Sequence, residues 1–495
     1  MSNRNTALAV AFCLPGLAAL AAFPQAAPDT SSDSTPTPAR VSDVYVGTSI
    51  GVYVYHAASN GNLSLVSGSP YSVAGTAIGS NHHYLLSLDP NYLHAYALAS
   101  NGAIQSQVSQ IDSRKYSGSD CGTAQRAVLD HSGHDVYVQI YGGGKPAPEP
   151  CVTLQSFKIS STGALSFLGA TEYATQTDDG IGGYATPIRL SGTGSYAYSA
   201  SYDEGCGIRM WILQRESGGA MTFADRWQNL WTPSAPALGG WEWVMAADPT
   251  NHLAIPMIEI FGNDGPCPDR GAVHLASFTV ASDGSLSSTN TAEQMPTPQV
   301  YPTVLNISFS GEFLAVGGGG LDTQTPGLQV FHFNGSNPVT PYSNVLTSDP
   351  IDQIHWDRNH DLYALSDSTH KLYVYTVTSR SITAAPGSPF AIPSTPSTLS
   401  VVPVMCSAPE TDGVHICVPS GGSTVASPVL VEASAKLSGS IDRMELWVDG
   451  VKKYTTHSPQ VDTTVSLAAG KHLFEVVAVN TAAKKWEKAV YSTVK

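Results

Sequence analysis

Charge is scarce in this chain. Asp, Glu, Lys and Arg together make up 13% of its 495 residues, too few to clothe the solvent faces of a set of amphipathic helices. Cysteine (7) and methionine (8) are also sparse, and no CxxC pair occurs, which removes the common zinc-ribbon and dithiol motifs. No P-loop, dinucleotide fingerprint, HExxH helix or GxSxG elbow stands in a context that would support it. Positive charge is the rarer sign, with 24 Lys and Arg against 39 Asp and Glu and a net charge of −15. Residues 412–495 hold nine Lys and Arg against eight Asp and Glu, so the rest of the chain carries 15 against 31. An acidic body repels a phosphate backbone, and nucleic acid is excluded as the expected partner.

What the chain has instead is Gly (45), Pro (33) and Tyr (22), a composition of strands and turns. Its strands repeat. VYVYHAASNGNLSLV from Val52, LHAYALASNGAIQSQV from Leu93, LQSFKISSTGALSFLG from Leu154, MWILQRESGGAMTFAD from Met210 and LASFTVASDGSLSST from Leu275 share one plan, and two degenerate copies start at Leu328 and Leu372. Turn glycines fall at Gly61, Gly102, Gly163, Gly219 and Gly284, flanked by apolar residues at period two, as in tight hairpins. Upstream of most copies stands a second hairpin, as in AVLDHSGHDVYVQIY, IRLSGTGSYAYSASY and IHWDRNHDLYALSD. Four antiparallel strands every 41 to 65 residues predict an all-β fold, a seven-bladed β-propeller over 43–405. The first repeat has only three strands, and a surplus strand at 397–404 is expected to complete it and close the ring.

The first residues read as an exported leader: an apolar run from Ala7 to Phe23 follows Arg4, too short for a comfortable span and well sized for a signal peptide ending near residue 27. An uncleaved anchor is the alternative. Residues 28–42 form a Pro-, Ser- and Thr-rich disordered linker. Losing Cys13 with the leader leaves six cysteines, and an oxidising compartment favours pairing them. Chain order and the repeat suggest Cys121 with Cys151, Cys206 with Cys267, and Cys406 with Cys417, with metal binding as the rival use. Residues 412–495 read as about seven short strands with turns at Asp449-Gly450 and Ala469-Gly470, a small Ig-like β-sandwich resembling the immunoglobulin-like modules of bacterial surface proteins.

The text VYVYHAASNGNLSLVSGSPY near the start and ITAAPGSPF near the end, with a Gly-Ser-Pro-aromatic step at Gly68–Tyr71 and again at Gly387–Phe390, resembles the lactonase-like, phosphogluconolactonase-type seven-bladed propellers of bacteria. That resemblance spans about 43–405 and implies the fold. Its members with lactonase activity have His-bearing strand starts that this chain does not reproduce, so no catalytic residue is carried over.

Propellers place ligands over the central channel, where loops entering the innermost strands converge. Ligand-binding candidates by repeat position are Arg126, Tyr184, Trp241, Trp243 and Tyr301; the catalytic candidates are His82, Glu242, His355 and Asp357. Trp241 and Trp243 flank Glu242, so alternation puts two indoles on one face, a platform for a sugar or a cation. His82-His83 and His355-Trp356-Asp357 could supply a general base, though adjacent histidines on a strand point apart and do not chelate together. Asp178-Asp179-Gly180 and Gly262–Gly265 offer oxygen ligands, yet neither matches an EF-hand loop. No metal site is assigned and no cofactor is expected; a divalent cation such as Ca²⁺ is left open. The expectation is a secreted, periplasmic or cell-surface bacterial binding protein, monomeric and without a transmembrane span once the leader is removed. Its ligand is a small molecule, glycan or protein. The alternative is a lactonase-like hydrolase of a small cyclic ester, using a channel-mouth histidine or carboxylate, with or without a divalent cation.

Overall fold

The computed structural model describes residues 40–494 except 82, 114–121, 143–150, 174–185, 203–207, 231–237, 241–243, 261–269, 322–323, 405, 407, 426 and 428. The leader and most of the linker therefore lie outside the described residues. Seven sheets of four or five strands are followed by two sheets that make the sandwich. Blade 1 is Arg40–Thr48, Gly51–Ala58 and Leu63–Leu65, with Pro396–Pro403 as its innermost strand. That last strand pairs antiparallel with Arg40–Thr48, from Ser42 opposite Pro403 to Thr48 opposite Pro396. The surplus strand thus closes the ring as expected. The first strand begins at Arg40, inside the stretch read as linker, because Val41 accepts the Val404 N–H and prolongs the same ladder.

Alternation in the strands sends side chains to both faces of each sheet, and between every two neighbouring blades they meet in one apolar cluster. Blades 1 and 2 share Tyr45, Val54, Leu85 and Tyr96. Blades 4 and 5 share Tyr198, Ile212, Leu253 and Phe278. The ring closes on Val46, Tyr53, Leu365 and Val374, which join blade 1 to blade 7. The turn glycines sit against this packing. Gly61, Gly102, Gly163, Gly219 and Gly284 all have φ between +76° and +95°, and each lies against the preceding blade: a Cβ on Gly61 would stand 2.7 Å from Ala385 of blade 7.

The Gly-Ser-Pro-aromatic steps do the same work at both ends of the ring. The Ser69 hydroxyl accepts the Val54 N–H at 3.1 Å, and the Ser388 hydroxyl accepts the Val374 N–H at 2.9 Å. Each step thereby returns the chain along the outer side of its blade.

Antiparallel order gives the ring two faces. Connections between blades enter the innermost strands from one face, here the mouth; the turns between first and second strands lie on the other. A side-chain acceptor caps most of those far-face turns. Asn81, Asp130, Asp248 and Asp357 each accept two backbone N–H groups two to five residues ahead, and Ser191 and Ser308 accept one five residues ahead.

Blade 5 departs from the repeat. Its innermost position is split between Leu238–Gly240 and Ala246–Ala247, both paired with His252–Ile260; Trp241-Glu242-Trp243 lies outside the described residues. Among the described residues the sandwich has eight strands against about seven expected, because Thr424–Val425 pairs in parallel with the last strand, Lys485–Val494. Its core is Val431, Ala433, Met444, Leu446, Phe474 and Val476. It meets the far face of blade 7, where Arg358 bonds Glu432 and lies 3.0 Å from Asp462, and Cys406 is disulfide-bonded to Cys417.

Candidate functional channel

The innermost strands that matter most are Thr123–Leu129 of blade 3, Arg189–Leu190 of blade 4, Val304–Ile307 of blade 6 and Gln353–Trp356 of blade 7. Counting back two residues from the capping residue of each far-face turn gives Arg189, Asn306 and His355 at one repeat position. The following residue points the other way: Trp356 joins the apolar cluster between blades 6 and 7, and its indole donates to the Asn306 carbonyl at 3.1 Å. Asn306 in turn donates to the Ile354 carbonyl at 2.8 Å, tying adjacent innermost strands together.

Arg189 and His355 stand on blades 4 and 7, as far apart around a seven-membered ring as two blades can be. The Arg189 charge nevertheless lowers the His355 pKa, so the two side chains come within electrostatic reach of each other. Burial is the larger cause, and together they push the imidazole down to about 4; near pH 7 it is neutral. Burial also lowers the Arg189 pKa, with the Arg126 guanidinium as a second cause. Arg126, on the middle of its strand, keeps solvent contact while the surrounding protein lowers its pKa by desolvation. The Arg189 Nε donates to the Met245 carbonyl at 3.1 Å, which aims the guanidinium. Among the described residues neither arginine has a carboxylate partner within ion-pair distance. Two guanidiniums sharing a partly desolvated channel, in a chain of net charge −15, are an arrangement that an anion relieves.

At the mouth, Asp352 accepts the Asp367 N–H at 2.8 Å. Burial, and secondarily the Asp352 charge, raise the Asp367 pKa to about 6, so this carboxyl titrates near neutrality. A polar cleft lined by Thr48, Ser49, Ser72, Thr76 and Ser397 opens beside these strand starts.

Arg126 and His355 therefore come together with Arg189, which sequence reasoning missed. Its signal was present: Arg189 occupies the repeat position of His355, visible once blades are aligned on their turn caps. Asp357 belongs elsewhere, a correction to its reading as a catalytic candidate. It sits on the far face, buried, with its oxygens occupied by the Asn359 and Asp361 N–H groups, the Ser42 hydroxyl and the Tyr363 hydroxyl. Tyr301 is half-buried on the mouth side, its N–H bonded to the Thr325 carbonyl at 3.3 Å. His82 lies outside the described residues. Tyr184, Trp241, Glu242, Trp243, Cys121, Cys206 and Cys267 also lie outside the described residues; Cys151 opens the strand Cys151–Ile159. Among the described residues no helix is long and apolar enough to cross a membrane.

The fold has counterparts among solved structures. A protein from Lactobacillus plantarum is 12% identical with a TM-score of 0.50, over 73% of this chain and 99% of its own. The periplasmic gluconolactonase of Pseudomonas aeruginosa is 15% identical with a TM-score of 0.46, over 74% of this chain and 99% of its own. No curated protein matches the chain in sequence. Residues 413–476 match the family described as Bacterial Ig domain. The chain is thus a seven-bladed β-propeller carrying a bacterial Ig domain after the ring closes.

Proposed function

We propose that the protein is an exported binding protein whose propeller channel captures a small organic anion, a carboxylate or phosphate ester bearing hydroxyls. The observation that carries this reading is the electrostatic influence of Arg126 on Arg189 and of Arg189 on His355, with no carboxylate partner for either arginine among the described residues. Guanidiniums recognise carboxylate and phosphate through paired N–H donors, and a neutral imidazole beside them offers one donor and one acceptor to a hydroxyl. The mouth cleft, rich in Ser and Thr, suits the polyol part of such a ligand. The test is calorimetric titration with gluconate, glucose 6-phosphate and glucose, which share a hydroxylated skeleton and differ in charge. Binding of the two anions and not of glucose is expected; equal binding of all three contradicts the proposal.

A second reading rests on Asp367. A carboxyl titrating near pH 6 beside Asp352 has the proton affinity of a general base for water, and hydrolysis of a lactone would release a carboxylate next to the channel arginines. Proton release in a pH-stat with small sugar lactones tests it: turnover lost in Asp367→Asn supports hydrolysis, and no turnover leaves capture alone.

A further inference from the structure

A second chemical centre lies where the ring-closing strand hands over to the sandwich. Cys406 follows Pro403 by three residues, in the connection, while His415 and Cys417 belong to the first sandwich strand, Gly413–Val418. The donor atoms of Cys406, His415 and Cys417 all lie within 4.8 Å of one another, and the His415 Nδ1 is 3.7 Å from the Cys417 Sγ. The Ser434 hydroxyl donates to the Cys406 Sγ at 3.6 Å, holding it over the sandwich. Cys406 is buried, whereas His415 is exposed, so the cluster has one wet side.

We propose that these three side chains are a redox-gated metal site: a disulfide when oxidised, and a Cys₂His ligand set for Zn²⁺ or a similarly soft cation when reduced. A dithiol donor passes two electrons and two protons to the disulfide and is itself oxidised to a disulfide, leaving two thiols. The cation then displaces both thiol protons and takes the imidazole as third ligand, with water in the fourth position. Tetrahedral zinc, with bonds of about 2.3 Å to sulfur and about 2.0 Å to nitrogen, holds its donors about 3.5–3.8 Å apart, a spacing that the His415 Nδ1 and Cys417 Sγ already have at 3.7 Å and that the two sulfurs can take once the bond between them is broken. The movement needed falls on Cys406, which is in a connection rather than a paired strand. Thiolate and imidazole ligands select soft and borderline cations over Ca²⁺ or Mg²⁺. The site would keep the junction between propeller and sandwich fastened in either redox state, by a covalent bond or by a metal.

The experiment uses the full chain, reduced with a phosphine, freed of reductant without air, and titrated with Co²⁺ as a spectroscopic stand-in for zinc. The reduced wild type is expected to take up one more equivalent than Cys406→Ser/Cys417→Ser, with the visible bands of tetrahedral thiolate-bound cobalt, and to lose them to added Zn²⁺. His415→Ala is expected to bind about tenfold more weakly, and the oxidised wild type to match the double variant. Zn²⁺ should also raise the melting temperature of the reduced wild type and leave that of the double variant unchanged. Equal uptake by the reduced wild type and the double variant overturns the site, because the other cysteines then account for the metal. Unchanged affinity in His415→Ala overturns the imidazole's part.

Discussion

The Tyr45 hydroxyl donates to the Gly102 carbonyl at 3.0 Å, fastening an inner strand of blade 1 to the outer hairpin of blade 2. The same latch joins Tyr137 to Gly219 at 2.9 Å and Tyr198 to Gly284 at 2.8 Å. The glycine is fixed twice over: its φ is +77°, and a Cβ there would stand 2.5 Å from the Asp43 carboxylate. Gly102→Ala is therefore expected to destabilise the propeller by about 2–4 kcal/mol and Tyr45→Phe by about 1 kcal/mol. Urea unfolding measures both. Gly218→Ala, where nothing lies within 4 Å of the added methyl, should change stability by less than about 0.5 kcal/mol.

Ring closure puts Leu399 of the surplus strand into the cluster shared by blades 1 and 7. Leu399→Ala is expected to cost about 2–4 kcal/mol, and the loss should appear in the main unfolding transition, since an unpinned innermost strand opens the whole ring. A loss confined to the sandwich would contradict that topology.

Arg358 is the polar link between blade 7 and the sandwich. Its neighbours Glu432 and Asp462 raise its pKa, and burial in turn raises that of Glu432 despite the guanidinium. Arg358→Ala leaves two acidic groups facing each other, one of them half-buried, and breaking such a pair costs about 3–5 kcal/mol when fully buried and less here. The expected sign is a separate, earlier sandwich transition in calorimetry and faster proteolysis within 404–412.

His355 sets a pH dependence. Its folded pKa of about 4 lies below the ordinary 6.5, so between those values the unfolded chain binds more protons. Its contribution to stability is present above pH 6.5 and lost as pH falls through 4. Relative to His355→Asn, the wild type should lose about 1–3 kcal/mol over that window. An anion between Arg189 and His355 draws the proton back, so its affinity should rise as pH falls from 6.5 toward 4.

The scaffold was legible because its rules are local and repeated: positive-φ glycines, period-two apolar residues, and a three-stranded first repeat with a surplus strand at the end. The channel was only half legible. Arg126 and His355 follow from repeat position, but Arg189 sits on a strand of two residues, Arg189–Leu190, too short to announce itself by alternation. Asp357 misled because a carboxylate after His-Trp has the same letters whether it serves chemistry or caps a turn. Which of the two depends on the backbone N–H groups ahead of it, and those are fixed only by the fold. The mouth loops carry no repeat at all, so their side chains follow no rule readable from the sequence.

On the proposed function, the channel arginines select a charged ligand. The most direct measurement is the ratio of gluconate to glucose affinity in the wild type and in Arg126→Gln/Arg189→Gln, at fixed salt. A wild-type ratio of at least about a hundred is expected, from charge-assisted hydrogen bonds worth about 1.5–3 kcal/mol each, collapsing toward one in the double variant while the fold is kept. A ratio that survives loss of both guanidiniums would contradict it.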